Sequence, residues 1–147
     1  MRMSEVLEHM RDCFFVETMS QKLACAVDVP EIAEAVVSTV RESFGLDAVV
    51  LIPDGTGLVP ATAGVPVPDS DMSAAALAFQ NSAEIGAGTG TLSSVSFRFL
   101  PISGLSGTCG VLAVLFPGDG ISPEVCSVLG IFTDLAGLAM GRISREE

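Results

Sequence analysis

The sequence predicts an α+β domain with an antiparallel central sheet and helices at both ends of the chain. Three observations predict this class. Two segments with helical periodicity open the chain, two pairs of strand-like segments are each joined by a short turn, and a long helical segment closes the chain. With 147 residues, 49% of them hydrophobic, the chain suits a single globular domain with its own core.

The first two segments carry signals of helix boundaries. In residues 4–26 apolar side chains recur at three- and four-residue spacing, and Ser4 can cap the start. The second helix is predicted to begin near Asp28, because a proline follows in its first turn, and to end at Gly45. One apolar stripe runs along this second helix.

Strand and helix signals then alternate. Residues 46–52 (LDAVVLI) are strand-like and end at the turn sequence Pro-Asp-Gly, and residues 57–63 form a weaker second strand. Two prolines exclude a regular helix from residues 64–69. A helix is predicted after them, capped by Ser70 or Asp71 and ending near residue 81.

Two further strand-like segments, residues 95–102 (VSFRFLPI) and 107–116 (GTCGVLAVLF), are joined by a short link that predicts an antiparallel hairpin. In the first of them Phe97 and Phe99 share one face, and Arg98 lies on the other. The second is almost entirely apolar.

The last helix is predicted from its Ser-Pro-Glu start at residues 122–124 to about residue 144. It is apolar on two sides, so we expect it to be buried on two sides. One side faces the sheet. The other side carries Ile131, Leu138, Gly130, Gly137 and Gly141. This second side should pack on another helix, either from the first segment or, as we favour, from a second copy of the chain in a homodimer through the terminal helices.

Hydropathy does not predict membrane insertion or secretion. The most hydrophobic stretch, residues 125–140, contains Asp134 and is shorter than the roughly 20 apolar residues of a bilayer span. The first residues lack the apolar region of a signal peptide. We therefore expect a cytoplasmic domain.

Charge and cysteine spacing argue against two classes of partner. The formal net charge is −11, whereas nucleic-acid surfaces require clusters of Lys and Arg. Arg98 is the only basic residue between Arg41 and Arg142. The four cysteines form no C-x-x-C pair and His9 is the only histidine, so no metal site is predicted.

A glycine-rich run, EIGAGTGTL at residues 84–92, could be a phosphate-binding loop or a turn. A dinucleotide loop follows a strand and precedes a helix, whereas here a helix precedes the run and a strand follows it. A P-loop requires a lysine, and no lysine occurs after Lys22. The remaining interpretations are a loop whose threonines satisfy backbone groups and a lid over a small ligand.

This region resembles the GAF domain of KdpD-type sensor histidine kinases. In that family an A-F-x₆-G-x-G-T-D-T-L run precedes a strand that ends in Leu-Pro, and a G-V-L strand follows. The matching positions here are Ala78, Phe79, Gly86, Gly88, Thr89, Thr91, Leu92, Leu100, Pro101, Gly110, Val111 and Leu112. The stretch VVLIPDGTGL (residues 49–58) resembles the first hairpin of the family. Gly90 stands where the family usually has Asp, and Leu77 replaces a common Trp, so the identity of a ligand is not carried over.

The resemblance implies a GAF-like fold, with the terminal helices packed on one side of the sheet and a loop-rich ligand face on the other. It implies a single domain: an N-terminal helix in residues 1–27, the helix, sheet and pocket loops in residues 28–120, and a C-terminal helix in residues 121–147 leading to an output domain. The implied function is a non-catalytic sensory module of a membrane-anchored two-component sensor histidine kinase in potassium or osmotic signalling, its kinase activity in a downstream domain.

The expected ligand site lies on the loop-rich face, formed by residues 64–71, Phe79 and residues 87–94. The predicted ligand-binding residues are Phe79 as a wall, Thr89, Thr91 and Ser94 as hydrogen-bonding groups, and Arg98 as the only candidate cation. The alternative for Arg98 is a strand residue that faces water. No cofactor is identified, and the small molecule remains open. A ligand, or the ionic conditions, would order residues 86–92 and bias the packing of the terminal helices.

Two other function classes compete with a ligand sensor. A structural dimerisation module with a closed pocket would keep the two-sided last helix and bind no ligand. A cysteine-dependent methionine sulfoxide reductase, a known GAF-like enzyme, would need an activated thiol. Cys109 lies on an apolar strand with no histidine nearby, and Cys126 lies near an acidic helix start, so neither fits that chemistry.

Overall fold

The computed structural model describes residues 3–55, 57–61, 64–86, 97–104, 107–116 and 122–146. These residues form four helices and five strands. In chain order they are α1 (Met3–Cys25), α2 (Val29–Phe44), β1 (Ala48–Asp54), β2 (Gly57–Pro60), α3 (Asp69–Asn81), β3 (Ile85–Gly86), β4 (Phe97–Gly104), β5 (Gly107–Leu115) and α4 (Pro123–Glu146). The predicted α+β class and the predicted order of the helices and longer strands are confirmed.

The sheet has the strand order β2-β1-β5-β4-β3, and every neighbouring pair is antiparallel. The predicted hairpins are β1–β2 and β4–β5. The two-residue strand β3 was not predicted: it takes the start of the glycine-rich run into the sheet, where Gly86 pairs with Arg98. The remainder of the run, residues 87–92, lies outside the described residues.

Alternation along the strands separates two apolar cores. On one face, side chains such as Val49, Phe97 and Phe99 pack with the alanines of α3. On the other face, side chains such as Leu100 and Ile102 pack with α1, α2 and α4. The terminal helices therefore lie together on one face, as expected, and α3 is the only helix that the described residues place on the opposite face.

The ends of α2 follow from the capping signals in the sequence. The Asp28 carboxylate accepts a 2.9 Å hydrogen bond from the Glu31 backbone N–H, and the Glu31 carboxylate accepts one of 2.6 Å from the Val27 N–H. At the other end Gly45 adopts a left-handed conformation, with φ of 67°, and its N–H donates to the Arg41 carbonyl. Both predicted boundaries are confirmed.

Helix α4 is longer than its apolar stretch suggested. Residues Pro123–Ile143, with a mean hydropathy of 1.4, are long and apolar enough to cross a membrane by length and composition alone. In this structure Leu129, Phe132 and Ala136 are fully buried in the core beneath α4, which is the environment of a core helix in a folded domain.

The interpretation of the second side of α4 needs one correction. Its helical neighbours within the chain are α1 and α2. Gly137, assigned to the side that meets another helix, instead lies against the Ser103 backbone of β4, where a Cβ would overlap the carbonyl oxygen. Helix α4 approaches β4 this closely only because position 137 has no side chain. Ile131 and Leu138 remain exposed on α4.

Replacing Thr39 of α2 by valine is expected to raise the free energy of unfolding by about 1 kcal/mol, because valine keeps the shape and removes an unsatisfied polar group. Among the described side chains, the Thr39 hydroxyl oxygen is buried without a hydrogen-bond partner. Urea unfolding of both proteins measures the difference. Thr133→Val is the matched control. The Thr133 hydroxyl donates a hydrogen bond to the Gly130 carbonyl at 2.8 Å, so removing this hydroxyl should not raise the free energy of unfolding. Destabilisation by Thr39→Val would contradict the expectation.

Candidate ligand-binding site

A groove of about 530 Å³ lies between α3 and the β1–β2 hairpin. Its wall from the hairpin consists of Pro53, Gly55, Gly57 and Leu58. Its wall from α3 consists of Asp69, Met72, Ala76, Phe79 and Gln80. The groove lies on the face of the sheet where the resemblance implies a ligand.

Helical periodicity explains the α3 wall. Ala74, Ala75 and Ala78 are the residues of α3 that are buried against the sheet. The groove residues recur every three or four positions beside that buried stripe, so they form one continuous strip along the helix. At roughly 1.5 Å per residue, the strip is about 16 Å long from Asp69 to Gln80.

Small residues leave room on the hairpin wall. Gly55 occupies the turn with a φ of 63°, a conformation that L side chains rarely adopt. No heavy atom lies within 4 Å of a Cβ built on Gly55 or Gly57. The polar groups of the groove are the Asp69 carboxylate, the Gln80 amide and the backbone of the turn, and the remaining lining side chains are apolar.

The predicted site residues have different outcomes. Phe79 lies in the groove and is half-buried against the α3 core. Thr89, Thr91 and Ser94 lie outside the described residues. Arg98 belongs to the opposite face of the sheet, so the structure does not bring it together with Phe79.

The Arg98 side chain is largely buried beside α4. Its Nη2 and Nε atoms lie 2.7 and 2.8 Å from the same carboxylate oxygen of Glu84. Its Nη1 donates to the Cys126 sulfur at 3.6 Å, and the guanidinium carbon lies 5.8 Å from the centre of the Phe116 ring. The alternative that Arg98 is a solvated strand residue is therefore wrong: the guanidinium is held by a carboxylate under α4.

Sequence reasoning missed Glu84 and the hairpin wall. Glu84 immediately precedes β3, and the pairing of Gly86 with Arg98 brings its carboxylate to the guanidinium. The sequence shows only an acidic residue that precedes a short apolar segment. This pattern does not indicate a partner for Arg98 unless the pairing of β3 with β4 is known. The hairpin residues were recognised only as a turn, because nothing local indicates that α3 lies across them.

A second groove, of about 600 Å³, lies on the opposite face between β4 and α4, and Glu84 and Asp134 are among its lining residues. Its lining is more polar than that of the α3 groove, whereas small-molecule sites are mostly apolar with a few polar groups. The α3 groove is therefore the better candidate for a small molecule.

The described residues offer little catalytic chemistry. Among them, no group of three or more His, Cys, Asp and Glu side chains is placed to hold a metal ion. The Cys109 thiol donates to the Ile102 carbonyl at 3.2 Å and faces the Met140 sulfur at 3.5 Å. Burial raises the pKa of the Cys109 thiol, and backbone hydrogen bonds oppose this only in part. A thiol of this kind is a poor nucleophile at neutral pH.

Alkylation with iodoacetamide is expected to modify the exposed Cys25 before Cys109. Because the thiolate is the reactive form and burial raises its pKa, the rate at Cys109 should rise with pH to a midpoint above that of the urea-unfolded chain. Mass spectrometry of peptides after timed labelling at several pH values measures both rates. A midpoint at or below that of the unfolded chain would show an activated thiol and revive a cysteine-dependent activity.

No protein-family model matches the chain, and a search of curated protein sequences also found no match. Solved structures are similar. The native GAF domain of the potassium sensor histidine kinase KdpD from Escherichia coli is 29% identical, with a TM-score of 0.79 over 91% of this chain and 96% of that one.

Two further structures share the fold. A methyl-accepting chemotaxis protein (residues 122 to 287) is 17% identical, with a TM-score of 0.70 over 88% of this chain and 98% of that chain. The GAF domain of an Acinetobacter phosphoenolpyruvate-protein phosphotransferase is 13% identical, with a TM-score of 0.71 over 92% and 96% of the two chains. GAF domains are generally regulatory and non-catalytic. The strand order, the placement of α3 opposite the other described helices and this likeness together show that the chain has the GAF fold and is similar to the GAF domain of a KdpD potassium sensor histidine kinase.

Proposed function

We propose that this domain is the non-catalytic sensory module of a two-component sensor histidine kinase in potassium or osmotic signalling, with the kinase activity in a separate domain. In this proposal a small molecule binds in the α3 groove, and the terminal helices pass its presence to the output domain. The observation that carries the proposal is the likeness to the KdpD GAF domain over nearly the whole chain. The groove on the α3 face supports the binding step.

Strand β4 supports the proposed transmission from the groove to the terminal helices, because its side chains pack in the apolar cores on both faces of the sheet. Phe97 and Phe99 pack in the core with α3, while Leu100 and Ile102 pack in the core with α4. Packed interiors transmit a displacement because they have few voids to absorb it. A shift of α3 on ligand binding would therefore press on β4 and through it on α4.

Arg142 supports transmission from α4 to α1, because it links these two helices directly. Its guanidinium donates to the carbonyls of Leu23, Ala24 and Ala26 at 3.2, 3.3 and 2.7 Å. A cation at a helix C-terminus satisfies orphan carbonyls and interacts well with the helix dipole. The contact joins the C-terminal end of α1 to the last turns of α4, so the two helices are tied together there.

Replacing Arg142 by alanine is expected to lower the free energy of unfolding by about 2 kcal/mol, because charge-assisted hydrogen bonds are lost. Amide hydrogen exchange in the last two turns of α1 should increase, while exchange in α3 should not. Arg142→Lys keeps the charge but not the three-way contact, so its effect should be intermediate. Unchanged exchange in α1 would mean that Arg142 does not couple the terminal helices.

We also propose a homodimer through the terminal helices. Leu138 and Ile131 of α4 are 57% and 42% exposed and lie two turns apart, and Phe14 of α1 is 63% exposed. A second copy of the same helices would cover these side chains. The competing proposal is a structural dimerisation module that uses the same surface and binds no ligand.

Native mass spectrometry of the purified domain, followed by the denatured mass, tests these proposals. A dimer with extra mass that is lost on denaturation supports the ligand sensor, and a dimer of bare chains supports the structural module. A monomer contradicts the homodimer. Leu138→Glu should dissociate the dimer, whereas Leu77→Glu, at a residue of α3 that is 37% exposed on the other face, should not.

A further inference from the structure

Among the side chains that the structure describes, the basic ones lie on one face of the sheet. The sequence has no Lys or Arg in residues 42–97 or 99–141. Lys22, Arg41 and Arg142 belong to α1, α2 and α4, which pack on the face opposite α3. Arg98 points to that same face, where Glu84 holds its guanidinium. No charged residue occurs in residues 87–96 either, so that segment brings no counter-ion to the groove.

The charges near the groove are negative. Asp69 lies in its lining, and Asp71 also belongs to the first turn of α3. The backbone N–H groups at a helix N-terminus can attract an anion, but two carboxylates in the same turn oppose that attraction. The Gln80 amide at the other end of the groove is uncharged.

This arrangement selects ligands by charge. An anion that entered the groove would lose hydration and gain no side-chain counter-ion, whereas an apolar body could pack on Leu58, Met72 and Phe79. A cation would meet the Asp69 carboxylate. Resting on the proposed ligand role of this groove, we infer that it binds an uncharged or cationic small molecule with an apolar body and excludes carboxylates and phosphates, with Asp69 setting the preference.

Three probes with the same six-carbon chain test the inference: hexylammonium, 1-hexanol and hexanoate. Titration into the ¹⁵N-labelled domain, followed by NMR, gives the dissociation constant from the amides of Met72, Ala76 and Phe79. Hexylammonium and 1-hexanol should shift these amides, and hexanoate should bind roughly tenfold more weakly than hexylammonium. The size of that difference is expected when an exposed pair of like charges is replaced by an exposed pair of opposite charges.

Asp69→Asn should raise the dissociation constant of hexylammonium by about threefold to fivefold, which is the range of an exposed ion pair. The dissociation constant of 1-hexanol should not change. Glu124→Gln is the matched control: it makes the same change in net charge at an exposed residue of α4, on the other face. Its dissociation constants should equal those of the parent.

Each contrary outcome has a separate meaning. Hexanoate that binds as tightly as hexylammonium overturns the inference but leaves the groove as a ligand site. If Arg98→Gln then abolishes hexanoate binding, Arg98 supplies the counter-ion and our assignment of its face is wrong for the ligand-bound state. If none of the probes shifts the groove amides, the groove is not a binding site, and the ligand part of the proposed function fails with it.

Discussion

Replacing Gly137 by alanine is expected to lower the free energy of unfolding by about 3 kcal/mol, at the upper end of the cost of overpacking. The reason is steric. A Cβ at position 137 would overlap the Ser103 carbonyl oxygen, and its neighbours there are backbone atoms of β4, which cannot move aside as the end of a flexible side chain can. Accommodation requires α4 to lift from the sheet and weakens the core around Phe132. Urea unfolding followed by circular dichroism measures the loss.

Gly130 and Gly141 of the same helix provide matched controls. A Cβ built on either meets no heavy atom within 4 Å. Alanine at these positions should therefore stabilise the domain by up to about 1 kcal/mol through helix propensity. If Gly137→Ala behaves like the two controls, α4 does not touch β4 as closely as described here.

Replacing Glu84 by glutamine is expected to cost about 2 kcal/mol, and replacing Arg98 by methionine should cost less. The asymmetry follows from exposure. The Arg98 side chain is 15% exposed and the Glu84 side chain 43%. Removing the carboxylate leaves a largely buried guanidinium unpaired, whereas removing the guanidinium leaves a carboxylate that water can reach. Methionine is uncharged and fills much of the space of the arginine stem.

Urea unfolding of both single variants and the double variant completes a double-mutant cycle. The double variant should be more stable than Glu84→Gln alone, because no unpaired buried charge remains. A double variant whose loss equals the sum of the two single losses would mean that Glu84 and Arg98 contribute to stability independently. That result would contradict the desolvation argument.

Local signals in the sequence were sufficient for the larger elements. The cap at Asp28 and the left-handed Gly45 bound α2 through contacts within a few residues, so they can be read without the rest of the fold. Alternation in β4 likewise placed Phe97 and Phe99 on one face and Arg98 on the other. The element that escaped prediction, β3, is two residues long, and its partners in β4 are twelve and fourteen positions away along the chain.

The sequence likewise predicted one part of the candidate site, and only the structure shows the other part. The resemblance to the KdpD GAF domain indicated Phe79 as a pocket wall, and Phe79 lines the groove. The opposite wall depends on where the β1–β2 hairpin passes α3, and no local pattern encodes that contact. Sequence alternation assigns Arg98 to a face of the sheet but does not show what covers that face. In the structure α4 lies over it, and the guanidinium is paired with Glu84.

By itself, the sequence determined the α+β class, both boundaries of α2 and the confinement of basic residues to the two ends of the chain and Arg98. These properties depend on composition and on contacts between near neighbours. Tertiary structure alone decided what covers the face that Arg98 occupies, that Glu84 holds Arg98, and that Gly137 meets β4 instead of a partner helix. Those outcomes require residues distant in sequence to meet, and long-range packing, not local propensity, brings them together.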